Sequence, residues 1–386
     1  MKTLTTGERI SEKRKAEGNE KMRKEELEKI ILFNPSESIK KGNMAKKISM
    51  GKLLPHTKKI LGFENVKYSS GPKFKNGDTL LAKITPCLEN GKTAFVDILD
   101  ENEIAFGSSE FIVLRAMEGI SDKNYIYYLA KTLEFRSRAI SCMKGTSGRK
   151  RVNDKTLRSE IFTIPSLPSQ SAIAKILSSL DDKIELNNKI NKELENLARI
   201  IYNYWFVQNA GKKWEKKKIG EIAEVIRGTI ITEKQAKKGN IKVVAGGINY
   251  SYYHSEFNRE KNTITISGSG ANAGFVNFWQ ENIFASDCTT VRGESDIDTI
   301  LIYQHLKLNQ ENIFRLAKGS AQPHVYPKDI KDIWFYKVPE NIKEKFSSIF
   351  IAINEQMAKQ QLENIELAKI RDFLLPLLMS GQVRAK

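Results

Sequence analysis

Two stretches of the chain place an apolar or amide residue every three or four positions over lengths that exceed an ordinary core helix. Leu180, Ile184, Asn187, Asn191, Leu194, Leu197 and Ile201 step by 4, 3, 4, 3, 3 and 4 residues. Ile353, Met357, Gln360, Asn364, Leu367, Ile370 and Leu374 repeat those steps at an offset of 173. The spacing is close to that of a coiled-coil seam and predicts two long helices, 168–209 and 340–386, packed on each other. Two amides interrupt each stripe, and a buried amide weakens packing while favouring the register in which it finds a partner. Pro168 to Trp205 is some 38 residues, roughly 55 Å if helical, which suits a spacer. An antiparallel pair would put the domain preceding each helix at opposite ends and make the molecule pseudo-twofold, as suits a duplex read at two separated places. The alternative is two surface helices lying on separate cores.

Ahead of each helical stretch the pattern changes to short strand-like runs. Asp78–Ile84 and Thr93–Leu99 flank the polar loop 85–92, and Asn262–Ser267 and Gly274–Trp279 flank the loop 268–273. Phe95-Val96 aligns with Phe275-Val276, and Phe106-Gly107-Ser108 with Phe284-Ala285-Ser286, whereas the loops differ. Lys144-Gly145-Thr146 and Pro165 recur as Lys318-Gly319-Ser320 and Pro339 at an offset of 174 (319 − 145 and 339 − 165). A repeat of this period sets the architecture. The expected fold is a mixed α/β (α+β) chain with a charged arm at 1–22, a recognition domain at 23–167 and a spacer helix at 168–209. A second recognition domain follows at 210–339 and a second helix at 340–386.

Charge then narrows the partner. Lysine and arginine outnumber aspartate and glutamate by 63 to 46, a formal charge of +17 over 386 residues, and such an excess meets a polyanion such as nucleic acid or repels itself. Cys87, Cys142 and Cys288 are odd in number and far apart, which fits a reducing compartment and no disulfide framework. His56, His254, His305 and His324 sit at no zinc-ligand spacing, so structural roles are expected for all seven and no metal site. The first residues are charged instead of apolar, and Phe373–Met379, broken by Pro376, falls short of the roughly 20 residues that span a bilayer. A cytoplasmic protein without a membrane segment is the expectation.

Candidate DNA contacts follow from loop chemistry. In the first half they are Lys83, Thr85, Glu89, Asn90, Lys92, Ser108 and Ser109, with Lys144, Thr146, Ser147, Arg149, Lys150 and Arg151 from the run Lys144–Arg151. Closely spaced cations with glycine and hydroxyl neighbours suit phosphates, and arginine also reaches the two acceptors of guanine. In the second half they are Ser267, Ser269, Asn272, Ser286, Asp287, Lys318, Ser320, Gln322 and His324, and Gln322 suits bidentate pairing with adenine. Solvated surface turns are the competing reading of both runs.

The order domain, long helix, domain, long helix resembles the specificity subunit of type I restriction–modification enzymes over nearly the whole chain. The residues that carry the resemblance are Ile84-Thr85-Pro86-Cys87-Leu88-Glu89-Asn90-Gly91-Lys92, Gly268-Ser269-Gly270-Ala271-Asn272-Ala273-Gly274, and the Lys-Gly segments leading into Ile164-Pro165 and Val338-Pro339. Trp214 with Ile219-Gly220-Glu221-Ile222 looks like the opening of such a domain, whereas Leu27-Glu28-Lys29-Ile30 lacks the tryptophan. The resemblance implies one target recognition domain for each part of a split duplex site and helices that set the spacer. It also implies two modification subunits bringing S-adenosylmethionine to methylate adenine, and restriction subunits using ATP and magnesium, with no cofactor or catalytic site in this chain. Enzyme motifs are incomplete: Asn34-Pro35-Ser36-Glu37 lacks the second proline and aromatic of an adenine methyltransferase, and Gly91-Lys92-Thr93 has Pro86 where a phosphate-binding loop needs glycine. The remaining alternative is a coiled-coil scaffold whose two globular domains bind protein.

Overall fold

The computed structural model describes residues 22–146, 149–208, 214–319 and 322–385, so the arm expected at 1–22 lies outside them apart from Met22. They form two compact units, one of residues up to 185 together with 364 onward, the other of 186–363.

The first unit is built on an antiparallel sheet in the order β2 (Ile31–Phe33), β9 (Phe111–Ala116), β6 (Thr79–Ala82) and β7 (Thr93–Phe95). Successive side chains of a strand face opposite sides, and here both sides are buried. Leu81, Ile112 and Leu114 enter a core with Tyr125, Ile126 and Leu129 of helix α1 (Lys123–Lys131), while Leu80, Phe111 and Val113 enter a second core with Ile48, Phe74 and Ala105. That second core lies under a sheet in the order β4 (Glu64–Lys67), β3 (Met44–Ile48), β8 (Ala105–Gly107) and β5 (Lys73–Phe74), in which β3 and β8 run parallel. The carboxylate of Asp122 caps α1 by accepting from the N–H groups of Asn124 and Tyr125. Helix α2 (Leu133–Ser141) follows directly.

The second unit repeats this topology with one strand fewer in its second sheet. Its antiparallel sheet has the order β14 (Ala223–Arg227), β20 (Cys288–Gly293), β17 (Thr263–Ser267) and β18 (Val276–Trp279), and β16 (Tyr250–His254), β15 (Ile241–Val244) and β19 (Ile283–Ala285) form the other, with β15 and β19 parallel. Ile264, Ile266 and Val291 pack on Ile300, Leu301 and Leu306 of α6 (Asp296–Leu308). A two-stranded ribbon opens each unit: β1 (Arg23–Glu26) pairs with β12 (Ile161–Ile164), and β13 (Lys216–Lys218) pairs with β21 (Trp334–Tyr336). Leu27 and Ile30 therefore stand where Ile219 and Ile222 stand, and Met22 precedes β1 as Trp214 precedes β13. All four strands expected from the sequence exist but are shorter, Thr79–Ala82, Thr93–Phe95, Thr263–Ser267 and Val276–Trp279, and past Ala82 the 83–85 backbone bonds to Glu110 and Lys150 instead of continuing the pairing with β7.

Two long helices are present, α4 (Leu167–Tyr202), which continues as a π-helical segment over Asn203–Gln208, and α9 (Glu340–Met379). Each unit takes in part of both helices because their apolar faces belong to the cores. In the first unit Ile173, Ala174 and Leu177 join Leu375, Leu378 and Met379. In the second, Ala198, Tyr202 and Phe206 join Phe346, Phe350 and Ile353. Contacts rise along one helix as they fall along the other: within the second unit the Asn187 amide donates to the Glu363 carboxylate at 2.8 Å and the Asn191 amide to the Met357 carbonyl at 3.4 Å. The helices run antiparallel there.

Of the expected seam residues, Asn187, Gln360 and Ile353 are buried and Leu180, Ile184, Asn191, Leu194, Ile201, Met357, Asn364, Leu367 and Leu374 are half-buried. Two are not seam residues: Leu197 is 46% exposed and Ile370 47% exposed. Ala198 and Arg371 take those places, because a straight helix of 3.6 residues per turn drifts from a 3.5 repeat and needs a step of four where the sequence pattern suggested three. Of the seam amides, buried Asn187 thus pairs with a carboxylate and half-buried Asn191 with a carbonyl. Among the described residues no helix is long and apolar enough to cross a membrane, and no group of three metal-ligating side chains is assembled.

Candidate nucleic-acid interface

In the first unit the chain leaving β6 is held against a basic hairpin. The N–H of Lys83 donates to the Glu110 carbonyl, the N–H of Val152 donates to the Lys83 carbonyl, and both the N–H and the hydroxyl of Thr85 donate to the Lys150 carbonyl, at 3.1 and 3.0 Å. The hairpin is β10 (Met143–Lys144) against β11 (Arg151–Val152), with Lys144 opposite Arg151. Gly145 turns it at φ +122°, a conformation that favours glycine. Lys144, Thr146, Arg149 and Lys150 are exposed at its tip, and Ser147 lies outside the described residues. Two segments 65 residues apart, the 85–92 turn and the Lys-Gly run, thus share one surface.

The turn itself is tightly folded. Asn90 N–H donates to the Pro86 carbonyl and Lys92 N–H to the Cys87 carbonyl, leaving Glu89 and Asn90 exposed at its crest. Lys92 points elsewhere: its half-buried ammonium donates to the Met50 carbonyl at 3.2 Å. Ser108 accepts from the Glu110 N–H, and Ser109 is exposed beside it.

Arg151 is bound bidentately by Glu110, with N–O distances from 2.8 to 3.1 Å. Those hydrogen bonds hold the Glu110 carboxyl below the usual range, so both groups stay charged and cancel. Glu110 was not a candidate from sequence, since it lies 41 residues from its partner. Glu110→Ala is expected to free Arg151 and strengthen duplex binding, steepening the fall of log K with log salt by about 0.9. Fluorescence anisotropy across a salt series measures it, and an unchanged slope would place Arg151 away from phosphates.

The second unit builds the same arrangement with other groups. Gly270 N–H donates to the Pro323 carbonyl, Val325 N–H to the Gly268 carbonyl, and Lys318 and His324 exchange backbone hydrogen bonds across a turn with Gly319 at φ +103°. Ser269 donates its hydroxyl to Asp287, whose other carboxylate oxygen accepts from Arg227 at 3.1 Å. The backbone of Gly246 passes so close that a Cβ there would lie 2.7 Å from the Ser269 carbonyl. Gln322 is exposed, the ring of half-buried His324 stacks on Tyr326, and Asn272 is half-buried. The Lys318 ammonium is tied to Asp329 at 2.7 Å. Ser320 lies outside the described residues.

Two candidates change role. Ser267 and Ser286 are buried, and their hydroxyls hold neighbouring loops, Ser267 donating to the Gly247 carbonyl and Ser286 accepting from the Ile231 N–H. Small hydroxyl residues at a strand end look alike in sequence whether they face solvent or brace a loop. Arg227, on β14, was missed because no local motif marks it.

Cys288 is buried, which pushes its thiol up to about 12, and burial lowers His305 to about 4. His254 accepts the Lys237 N–H at its Nδ1. These groups serve the framework.

The DNA specificity domain of type I restriction–modification systems matches this chain twice, over residues 25–196 and 211–367. The type I restriction enzyme MjaIX specificity subunit of Methanocaldococcus jannaschii is 25% identical over 300 residues, 68% of this chain and 69% of that protein. The EcoAI specificity subunit of Escherichia coli is 36% identical over 151 residues, 37% of this chain and 26% of its own length. A crystal structure of a type I S subunit from M. genitalium shares the fold, with a TM-score of 0.59 at 18% identity over 94% of this chain and 96% of that one. The chain belongs to the family of type I restriction–modification specificity subunits, the DNA-recognition components of those systems, and a protein-binding scaffold is not favoured.

Proposed function

We propose that each unit reads one half of a bipartite duplex site, and that the two long helices set the separation of the halves and dock two modification subunits. One observation supports this above the others: the same turn-on-hairpin arrangement occurs in both units with different chemistry at its tip. Lysines and arginines crest the first hairpin, whereas a glutamine and a histidine crest the second. Framework hydrogen bonds fix register while loop side chains vary with the bases to be read.

Catalysis belongs to the partners in this reading. Modification subunits would bring S-adenosylmethionine and methylate adenine, and restriction subunits would bring ATP and magnesium. Exposed apolar residues on the helices, Leu186, Ile200 and Leu362 in the second unit and Ile365, Ile370 and Phe373 in the first, suit a partner surface.

Expression with the cognate modification subunits, followed by genome-wide mapping of methylated adenine, tests the proposal. A split motif is expected, and exchange of residues 85–92 should alter one half of it alone. Equal change in both halves, or methyl transfer by the isolated chain, would overturn the reading.

A further inference from the structure

A cavity of about 330 Å³ lies in the first unit beside the 85–92 turn. A Cβ on Gly91 would stand 2.6 Å from both Arg136 Nη1 and His56 Cε1, two of the side chains that line it. Lys131, the last residue of α1, lines it too, with a side chain only 7% exposed. Its ammonium makes no hydrogen bond, and the carboxylate oxygen it faces, Asp372 Oδ1, is 3.8 Å away.

Asp372 Oδ1 is shared: it forms a long ion pair with this ammonium at 3.8 Å and also accepts from Arg371 at 2.9 Å. Arg371 is further shared with Asp181 at 2.6 Å. Lys131 and Arg371 thus share Asp372, Asp181 is taken by Arg371, and Arg136 and His56 line the same cavity. A buried ammonium without hydrogen bonds is an unfavourable arrangement unless something accepts from it. Leu133, Leu375 and Pro376 add apolar surface to the lining.

We propose that this cavity binds a phosphate group. An ammonium and a guanidinium fork converging on one space match the several acceptor oxygens of a phosphate, and the apolar surface would carry the organic part of an ester. The phosphate has two possible sources, a free nucleotide or the duplex backbone.

Calorimetric titration of the full chain with inorganic phosphate, AMP and a duplex tests this. Lys131→Met and Arg136→Gln are each expected to weaken binding by about tenfold. Methionine keeps the buried volume while removing a charge that makes no hydrogen bond, so that variant should retain its fold by circular dichroism. A loss confined to AMP and inorganic phosphate assigns a free nucleotide. If the duplex weakens as well and its salt slope falls by about 0.9, the backbone is the source. Unchanged affinity for all three ligands in both variants overturns the proposal.

Discussion

Arg371→Ala is expected to destabilise the first unit by about 3 kcal/mol or more, read as loss of hydrogen-exchange protection in residues 167–185 and as an earlier thermal transition. The guanidinium is one side of a pair buried on both sides, its side chain 10% exposed and that of Asp181 8%, with N–O at 2.6 Å. Removing it leaves the Asp181 carboxylate in the core with the Tyr128 hydroxyl, which donates at 2.6 Å, and an incompletely compensated buried charge is the costly outcome of breaking such a pair. Asp181→Ala should cost less, because Arg371 keeps its hydrogen bonds to Asp372. Asp181→Leu with Arg371→Leu should recover most of the loss, since an apolar pair of similar volume replaces the ion pair without a desolvation penalty. If the double variant were as unstable as Arg371→Ala, a cavity or a helix distortion would be responsible instead.

At the repeat offset of 173, Asp181 corresponds to Asn354 and Arg371 to Ala198, and there the Asn354 amide merely donates to the Phe350 carbonyl of its own helix. The ion pair is thus a feature of the first unit alone. A polar pair in an otherwise apolar seam excludes registers that would separate it, as a single buried amide does in a coiled coil. Sequence reading found the amides but not this pair, because arginine at a seam position looks like a surface residue until its partner, 190 residues away, is seen.

The same contrast between local and distant pairing separates what the sequence made legible from what it hid. The two long helices, the framework strands and the Lys-Gly turns were legible, since each depends on spacing within one segment. Leu27 and Ile30 could be matched with Ile219 and Ile222 only once β1 was seen to pair with β12, because the tryptophan cue is absent from the first opening. The electrostatics of the candidate surface were hidden altogether. Arg151 reads as one of four free cations until Glu110 is placed against it, and Lys318 reads as a phosphate contact until Asp329 is. Burial of Ser267 and Ser286 likewise depends on loops at 228–248 that carry no motif of their own.

Those neutralised cations decide the last expectation. Replacing Lys144, Arg149 and Lys150 together with alanine should lower the salt slope of duplex binding by about 2–3 and the affinity at physiological salt by about 100-fold or more, because each phosphate contact releases close to one counterion. All three are exposed and none is held by a carboxylate among the described residues. Lys318→Ala should change the slope by well under one, since its ammonium must leave Asp329 before it meets a phosphate. The base preference of the second half-site should not move in the triple variant, because phosphate contacts position a protein without reading sequence. Anisotropy on the assembled complex, with duplexes altered in one half at a time, separates these outcomes. A triple variant with unchanged slope would remove the first hairpin from the DNA surface, and the 85–92 turn that hydrogen-bonds to it at Lys150 would lose its place there as well.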